Sequence, residues 1–303
     1  MAHPSISVAV PAYNAAAWIA ETIESVLRQT HPPREIIVAD DGSTDATVQE
    51  LERFGEAVRV LRASHRGPSA AYNRAFTAAC GDYIAMCPAD DLWEPHKLEW
   101  QCEALHAHPE IDISFGHARE FGLSDHEYAR PPGEGILDNA AFTRAMFEAC
   151  MIAAPTVLIR RDLYGRLGPF REDLACEDYE YWMRSLAADA VFHYDPRLLV
   201  NFRRHGANVS SRLLDMREMT HRVHRWYTND LDDSALANAV LAGDLRQIGR
   251  YHLDEGRHDR ARLAYGRSLR YKITAKAIVA SLMLSAPGGG RAVHRLSALR
   301  GST

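Results

Sequence analysis

Three acidic pairs carry the chemistry open to this chain. Asp40-Asp41 closes one apolar run, Asp90-Asp91 closes another, and Glu177-Asp178 opens a helix-like segment much later. Carboxylates gathered at one edge of a sheet repel each other unless a positive group offsets them. A divalent cation carrying a diphosphate does so, and Mg2+ or Mn2+ takes oxygen ligands of this kind. Neutralising a diphosphate leaving group is the electrostatic work that group transfer needs. Each pair also has a plainer reading. Asp-Asp-Gly makes ordinary turns, Asp90-Asp91 can cap a helix ahead of Trp93-Glu94-Pro95, and Glu177-Asp178 can complement a helix dipole.

Other residues extend the pairs. An aspartate placed like Asp40 can accept a hydrogen bond from the N3–H of uracil or thymine. Tyr13, in the turn Pro11-Ala12-Tyr13-Asn14, can stack on a base or edge it. That turn holds no glycine, so it lacks the GxGxxG of a dinucleotide-binding fold. Asp178 lies beside Tyr179, Tyr181 and Trp182, where an apolar setting would raise its pKa toward that of a general base. In Phe202-Arg203-Arg204-His205-Gly206, Arg203 suits phosphate, and His205 suits phosphate or metal. The remaining histidines show no HExxH spacing.

The elements that position these groups follow from the patterning. Ile6 to Val10, Glu35 to Ala39, Val58 to Leu61 and Tyr83 to Met86 read as strands. Between them lie three helical patterns. The first is capped at Asn14, the second is capped at Ser43 or Thr44 and stopped by Gly55, and the third starts at Pro68. This alternation predicts a doubly wound, mostly parallel α/β sheet with helices on both faces. Farther on, Trp93 to His106 reads as helix, as does the segment from Glu177. Ile111 to Phe115, Thr156 to Ile159, Val191 to Tyr194 and Leu198 to Phe202 read as strands.

After about residue 212 the chain reads as all helix. Tyr251 to Tyr271 resembles one tetratricopeptide-type hairpin with Gly256 at its turn, and a single such hairpin needs a partner for its apolar face. From Arg260 onward there are nine Lys/Arg and no acidic residue, with the apolar stretch Ala277 to Ala286 among them. This basic tail suits loose docking on anionic lipid headgroups, or is a solvated helix face.

The length of 303 residues fits about two domains. The division expected is 1–212, with a nucleotide-binding half over 1–100 and an acceptor-binding half over 101–212, followed by a helical region over 213–303. A net charge of −5 argues against general nucleic-acid binding. Five cysteines without CxxC spacing read as reduced thiols of a cytoplasmic protein. The start of the chain shows no basic, apolar leader, and no apolar run reaches the length of about 18 residues that spans a membrane. The expected location is cytoplasmic, with peripheral contact at the inner face of the membrane.

Taken in order, the blocks resemble family 2 glycosyltransferases. These blocks are Val8 to Asn14, Ile37 to Asp45, Gly67 with Ala71 and Asn73, Gly81 to Ala85 leading to Asp90-Asp91, and Glu177-Asp178. The resemblance covers about residues 5 to 212. It implies a GT-A fold and inverting transfer of a sugar from a nucleotide-diphosphate donor, with Mn2+ or Mg2+ as cofactor. The donor would be a UDP- or dTDP-sugar, and the acceptor a glycan or lipid-linked glycan of cell-surface polysaccharide or glycolipid synthesis. Pro11, Tyr13 and Asp40 would hold the nucleoside, with Asp41 and Asn73 nearby. Asp90 would ligate the metal, with His205 as a further ligand, and Asp91 would support the donor sugar and ribose. Asp178 would be the base, with Glu177 and Trp182 at the acceptor pocket. Arg203 would close over the diphosphate.

The sequence departs from the family in two places. Pro88 stands where the metal motif often has its first aspartate, and Tyr72 stands where an arginine often precedes Asn73, leaving Arg66 or Arg74 to take its place. Two rivals differ in class. A nucleotidyltransferase would want a Gly-rich, basic loop after the first strand, and Pro11 to Asn14 is not one. A non-catalytic sugar-nucleotide or protein-binding module would not need Asp90, Asp91 and Asp178.

Overall fold

The protein is described by a computed structural model covering residues 4–125, 127–174, 177–206 and 213–285, with backbone alone at Glu177. The chain divides into two compact units, Met1–Asn208 and Val209–Thr303.

In the first unit the expected alternation forms. Strand β1 (Ile6–Ala12) leads to helix α1 (Ile19–Leu27), β2 (Glu35–Asp40), α2 (Thr47–Glu52), β3 (Arg59–Arg62), α3 (Pro68–Ala78) and β4 (Tyr83–Met86). Strands β3, β2, β1 and β4 lie side by side, all parallel. The alternate residues Ile6, Val8 and Val10 of β1 join a core with Ile19, Ile23 and Val26 of α1 and Leu51 of α2. Ser7 and Ala9 point the other way and are also buried, and α3 packs against β1 and β2. A strand covered on both faces reads as a continuous apolar run, as β1 does.

The second half of the sheet is mixed. It comprises β5 (Leu92–Trp93), β6 (Ile113–Gly122), β7 (Gly135–Ile136), β8 (Leu158–Arg160) and β9 (Phe192–Arg204). The order is β3-β2-β1-β4-β8-β6-β9-β5, with β7 also on β9. Strands β8, β5 and β7 run antiparallel to their neighbours, whereas β6 and β9 pair parallel to each other. Helices α4 (Lys97–Ala107), α5 (Asn139–Glu148), α6 (Arg161–Leu167) and α7 (Glu177–Ala187) complete the unit.

Three local expectations change. The helix expected over Trp93 to His106 begins only at Lys97. Before it, Leu92 and Trp93 pair with Asn201 and Val200 of β9. The Trp93 N–H is held by Ser25 Oγ, and Pro95 supplies no N–H to an earlier helical turn. The two late strands are one strand, β9, with its register shifted opposite Gly116 to Ala118. Pro196 and Arg197 fall in that irregularity, where a missing N–H costs nothing, and Arg197 folds back onto Asp195. The helix-cap assignments also move. Asn14 accepts from the Thr44 N–H, and Ser43 Oγ accepts from the Asn14 N–H, so these residues join two turns to each other. Asp45 instead takes the Thr47 N–H at the start of α2.

The second unit holds α8 (Leu213–Tyr227), α9 (Ser234–Asp254), α10 (His258–Ser268) and α11 (Ala275–Ser285). Gly256 makes the α9–α10 turn with a φ of 73°, a left-handed conformation that glycine adopts at little cost. The expected hairpin therefore forms, but it does not wait for an outside partner. Ala277, Ala280 and Leu284 of α11 cover its apolar face against Leu253, Ala261 and Tyr265.

One buried charge stands out in the first unit. Lys97 is fully buried, donates to Gln101 Oε1 at 2.8 Å and lies over the Trp93 ring. Burial pulls its pKa from 10.5 down to about 7. Between those two values the unfolded chain binds the proton that the folded chain releases, so stability rises with pH across that window. Lys97→Met is expected to flatten this rise, which is of order a few kcal/mol across the window. Urea melts of both proteins at a series of pH values check it, and equal slopes would contradict it.

Candidate active site

The site is built where β1, β2 and β4 end on the same sheet edge. In the β1–β2 ladder Ala12 lies opposite Asp40, and in the β1–β4 ladder Ala9 lies opposite Met86. The turns after these strands carry Pro11 to Asn14, Asp40 to Thr44 and Asp90-Asp91, so parallel pairing brings residues some 80 positions apart in sequence to one edge.

At the β1–β2 end, Tyr13 is 46% exposed and stacks on His65, with ring centroids 4.0 Å apart. Asp40 is buried, accepts the Ser43 N–H through Oδ1 at 3.2 Å and lies 3.9 Å from Arg62 Nε. Gly42 lets the turn pass close to the 63–65 segment, because a Cβ there would sit 2.9 Å from the His65 backbone nitrogen. Asp41, expected near the nucleotide, has its carboxylate taken up within the protein. It accepts from the N–H groups of Arg66 and Gly67, from Arg74 at 3.2 Å, and lies 2.9 Å from His65 Nδ1. Asn73 is likewise occupied. Its Oδ1 accepts from the Phe170 N–H and the Tyr164 hydroxyl, while its Nδ2 donates to the Phe170 carbonyl and Glu172. Tyr72 fills the arginine position by packing against Phe76 and Phe170. Arg74 also donates to the Asp40 carbonyl, while Arg66 pairs with Glu172.

At the β4 end the last strand closes in. The Arg203 N–H donates to Asp91 Oδ1 at 2.8 Å, and its Nε donates to the Asp90 carbonyl. The same guanidinium reaches Glu21 of α1 at 2.6 Å. Asp90 Oδ2 lies 2.9 Å from His205 Nε2, and the His205 ring stacks on Trp18 at 4.0 Å. Asp91 is completely buried, and its Oδ2 has no hydrogen-bond partner among the described residues. Burial first, and then the neighbouring Asp90, push the Asp91 carboxyl well above the usual range. Among the described residues no three His, Cys, Asp or Glu side chains converge as a metal cage. The orphaned Asp91 oxygen and the facing Asp90–His205 pair nevertheless fit a cation whose other ligands are phosphate and water, the usual manner for Mg2+ and accessible to Mn2+.

Asp178 starts α7 half-buried, with Oδ1 accepting the Tyr179 N–H at 2.7 Å. Burial raises its pKa. Burial first, and then Asp178, push the Cys150 thiol up to about 12. Burial likewise raises the Tyr128 hydroxyl, with Arg204 opposing and Glu120, Cys150 and Asp91 adding to it. Trp182, expected at the acceptor pocket, is fully buried, with its ring edge-on to that of Tyr181. The Glu177 side chain lies outside the described residues. His65, Trp18, Glu21, Tyr128 and Cys150 are the site neighbours that patterning missed, since none stands in a spacing that marks it.

Residues 7–168 match the family described as Glycosyl transferase family 2, and the chain belongs to that family. It is similar to an uncharacterized glycosyltransferase of Rickettsia typhi, at 27% identity over 228 residues, covering 71% of this chain and 69% of that one. A Haemophilus influenzae uncharacterized glycosyltransferase is 28% identical over 273 residues, covering 83% and 82%. The chain spans only 32% of a longer Rickettsia felis relative, to which it is 33% identical over 202 residues or 64% of its own length. In shape it is similar to S. aureus TarS 1-349 in complex with UDP-GlcNAc, with a TM-score of 0.67 at 20% identity, covering 95% of this chain and 83% of that one. It is also similar to the mannosyltransferase PcManGT from Pyrobaculum calidifontis, in complex with GDP-Man and Mn2+, with a TM-score of 0.61 at 17% identity, covering 97% and 84%. The fold is the GT-A arrangement that the ordered blocks implied.

The four contacts on Asp41 make it a positioning residue for the 63–67 loop and the start of α3. Asp41→Ala strips two backbone N–H groups and a guanidinium of their acceptor, and is expected to cost about 3 kcal/mol. Urea unfolding measures this directly. An unchanged midpoint together with lost donor binding would instead place Asp41 on the nucleotide.

Proposed function

We propose that this chain is an inverting glycosyltransferase that moves a sugar from a nucleotide-diphosphate donor to an acceptor hydroxyl. The observation that carries this reading is the junction of Asp90, Asp91, Arg203 and His205, with Asp178 as a separate half-buried carboxylate whose pKa burial raises. Tyr13 and Pro11 supply an exposed surface for the base, and Asp40 an acceptor for a uracil or thymine N3–H. This favours a UDP- or dTDP-sugar. The UDP complexes of TarS support the uridine reading, while the GDP-Man complex of PcManGT keeps guanosine in play.

Asp91, with one oxygen fixed by the Arg203 N–H and the other without a partner among the described residues, would hold a donor hydroxyl. Arg203 adds a guanidinium beside the diphosphate. Asp41 and Asn73 act one step back, by holding the loops that carry His65 and Phe170. Asp90 and His205 would hold Mn2+ or Mg2+, which when bound neutralises charge growing on the diphosphate. Asp178 takes the acceptor proton as its oxygen attacks the anomeric carbon from the face opposite the leaving group, and attack from that face inverts the centre. A carboxylate raised by burial is better matched to this task than an ordinary one.

The acceptor belongs to a glycan or lipid-linked glycan of polysaccharide or glycolipid synthesis at the inner face of the membrane. No helix among the described residues is long and apolar enough to cross a membrane. The outermost part of the basic tail, 286–303, lies outside the described residues.

Asp178→Asn is expected to lower kcat by about 10²–10⁴-fold while donor binding survives, measured by steady-state turnover and donor titration. Full turnover in the variant would remove Asp178 from the role of base. Because the base must be ionised and its pKa is raised, wild-type kcat/KM is expected to fall on acidification at a pH above the ordinary carboxylate range. A pH–rate profile reads that limb, and a limb at the ordinary Asp value would contradict it. Asp90→Ala and His205→Ala are each expected to reduce the extra thermal stabilisation that Mn2+ adds to a nucleotide-sugar donor, with Asp90 the larger loss. Variants that keep the full Mn2+ increment would overturn the assigned ligands.

A further inference from the structure

Helix α11 carries two apolar faces, and among the described residues only one is packed. Ala277, Ala280 and Leu284 pack on α9 and α10. Ala275, Ile278, Val279 and Leu282 recur at i, i+3, i+4 and i+7 and form a second stripe that faces outward. Ile278 is 38%, Val279 49% and Leu282 67% exposed, and Ile273 just ahead of the helix is 77% exposed. Scattered exposed apolar residues need no explanation, but a continuous stripe does.

The charges around the stripe say what covers it. Between Arg260 and Ser285 there are six Lys/Arg and no acidic residue, and Arg267, Arg270, Lys272 and Lys276 are all exposed. A second copy docking through this face would bring cations onto cations. An anionic bilayer offers the opposite charge and a hydrocarbon boundary for the stripe. The helix has 11 residues and is therefore about 16 Å long, too short to span a hydrocarbon core of about 30 Å.

We infer that α11 is a membrane-surface element that lies in the plane of an anionic lipid bilayer, with Ile278, Val279 and Leu282 at the acyl boundary and the neighbouring lysines and arginines on the headgroups. The inference goes beyond the sugar-transfer reading and does not depend on it. The surface lies on the second unit and uses none of the residues assigned to donor, metal or base.

The test is co-sedimentation of the full chain with vesicles of phosphatidylcholine alone or mixed with phosphatidylglycerol. The wild type is expected to pellet with the mixed vesicles at low salt, to be released largely at high salt, and to stay in solution with phosphatidylcholine alone. The double variant I278D/L282D, made at exposed positions, is expected to lose pelleting while keeping the wild-type circular dichroism. K272E/K276E is expected to weaken partitioning by roughly tenfold or more. Wild-type protein that stays in solution with the mixed vesicles overturns the inference, as does pelleting that either variant leaves unchanged. A wild-type dimer in sedimentation velocity that I278D/L282D turns to monomer would assign the stripe to a second copy instead. Donor-induced thermal stabilisation, measured on the same samples, reports on the sugar-transfer reading separately.

Discussion

Two neighbouring carboxylates at the end of a buried strand repel each other, and the first unit is arranged around tolerating them. Asp91 is entirely enclosed, and Asp90 beside it adds to the cost of ionising it. What holds them is the far end of β9. Arg203 gives its backbone N–H to Asp91 and its side chain to the Asp90 carbonyl and to Glu21, while His205 turns its Nε2 to Asp90. These contacts join the fourth strand, the ninth strand and the first helix. Among the described residues one oxygen of Asp91 has no hydrogen-bond partner, the kind of buried orphan that native structures seldom keep.

Delivering Arg203 to that point sets demands on the rest of the sheet. Strand β9 runs for 13 residues alongside β6 and takes β7 and β5 along its length. Its irregularity at Asp195 to Arg197 absorbs a proline within an otherwise central strand. The nucleoside side follows another logic. Asp41 holds the 63–67 loop, Asn14 joins the turns after β1 and β2, and Asn73 holds Phe170 and Tyr164.

The second unit solves a different problem. A lone helical hairpin leaves an apolar face open, and α11 closes it with Ala277, Ala280 and Leu284. Small residues there let the helices approach, while the larger Ile278, Val279 and Leu282 are left on the outer side. The unit is thus satisfied internally and still presents a second apolar face within a field of positive charge.

Much of this was legible along the chain. Strand and helix alternation over the first 90 residues, the three acidic pairs, the α3 start at Pro68 and the Gly256 turn all come from local patterning, because burial on a strand or helix imposes its own period and turns impose their own residues. Nothing local showed that Asp41 would be consumed by the 63–67 backbone while Asp40 beside it kept only the Ser43 N–H and a distant Arg62, or that Trp182 would lie wholly inside the core. Nor did spacing connect Trp18 to His205 or Glu21 to Arg203, which are separated by more than 180 residues. Residue types and periodicity determined which groups could do chemistry and which elements would carry them. Strand order and packing alone decided which of those groups meet, since hydrogen bonds, ion pairs and desolvation depend on distances of a few ångströms that a linear order does not contain.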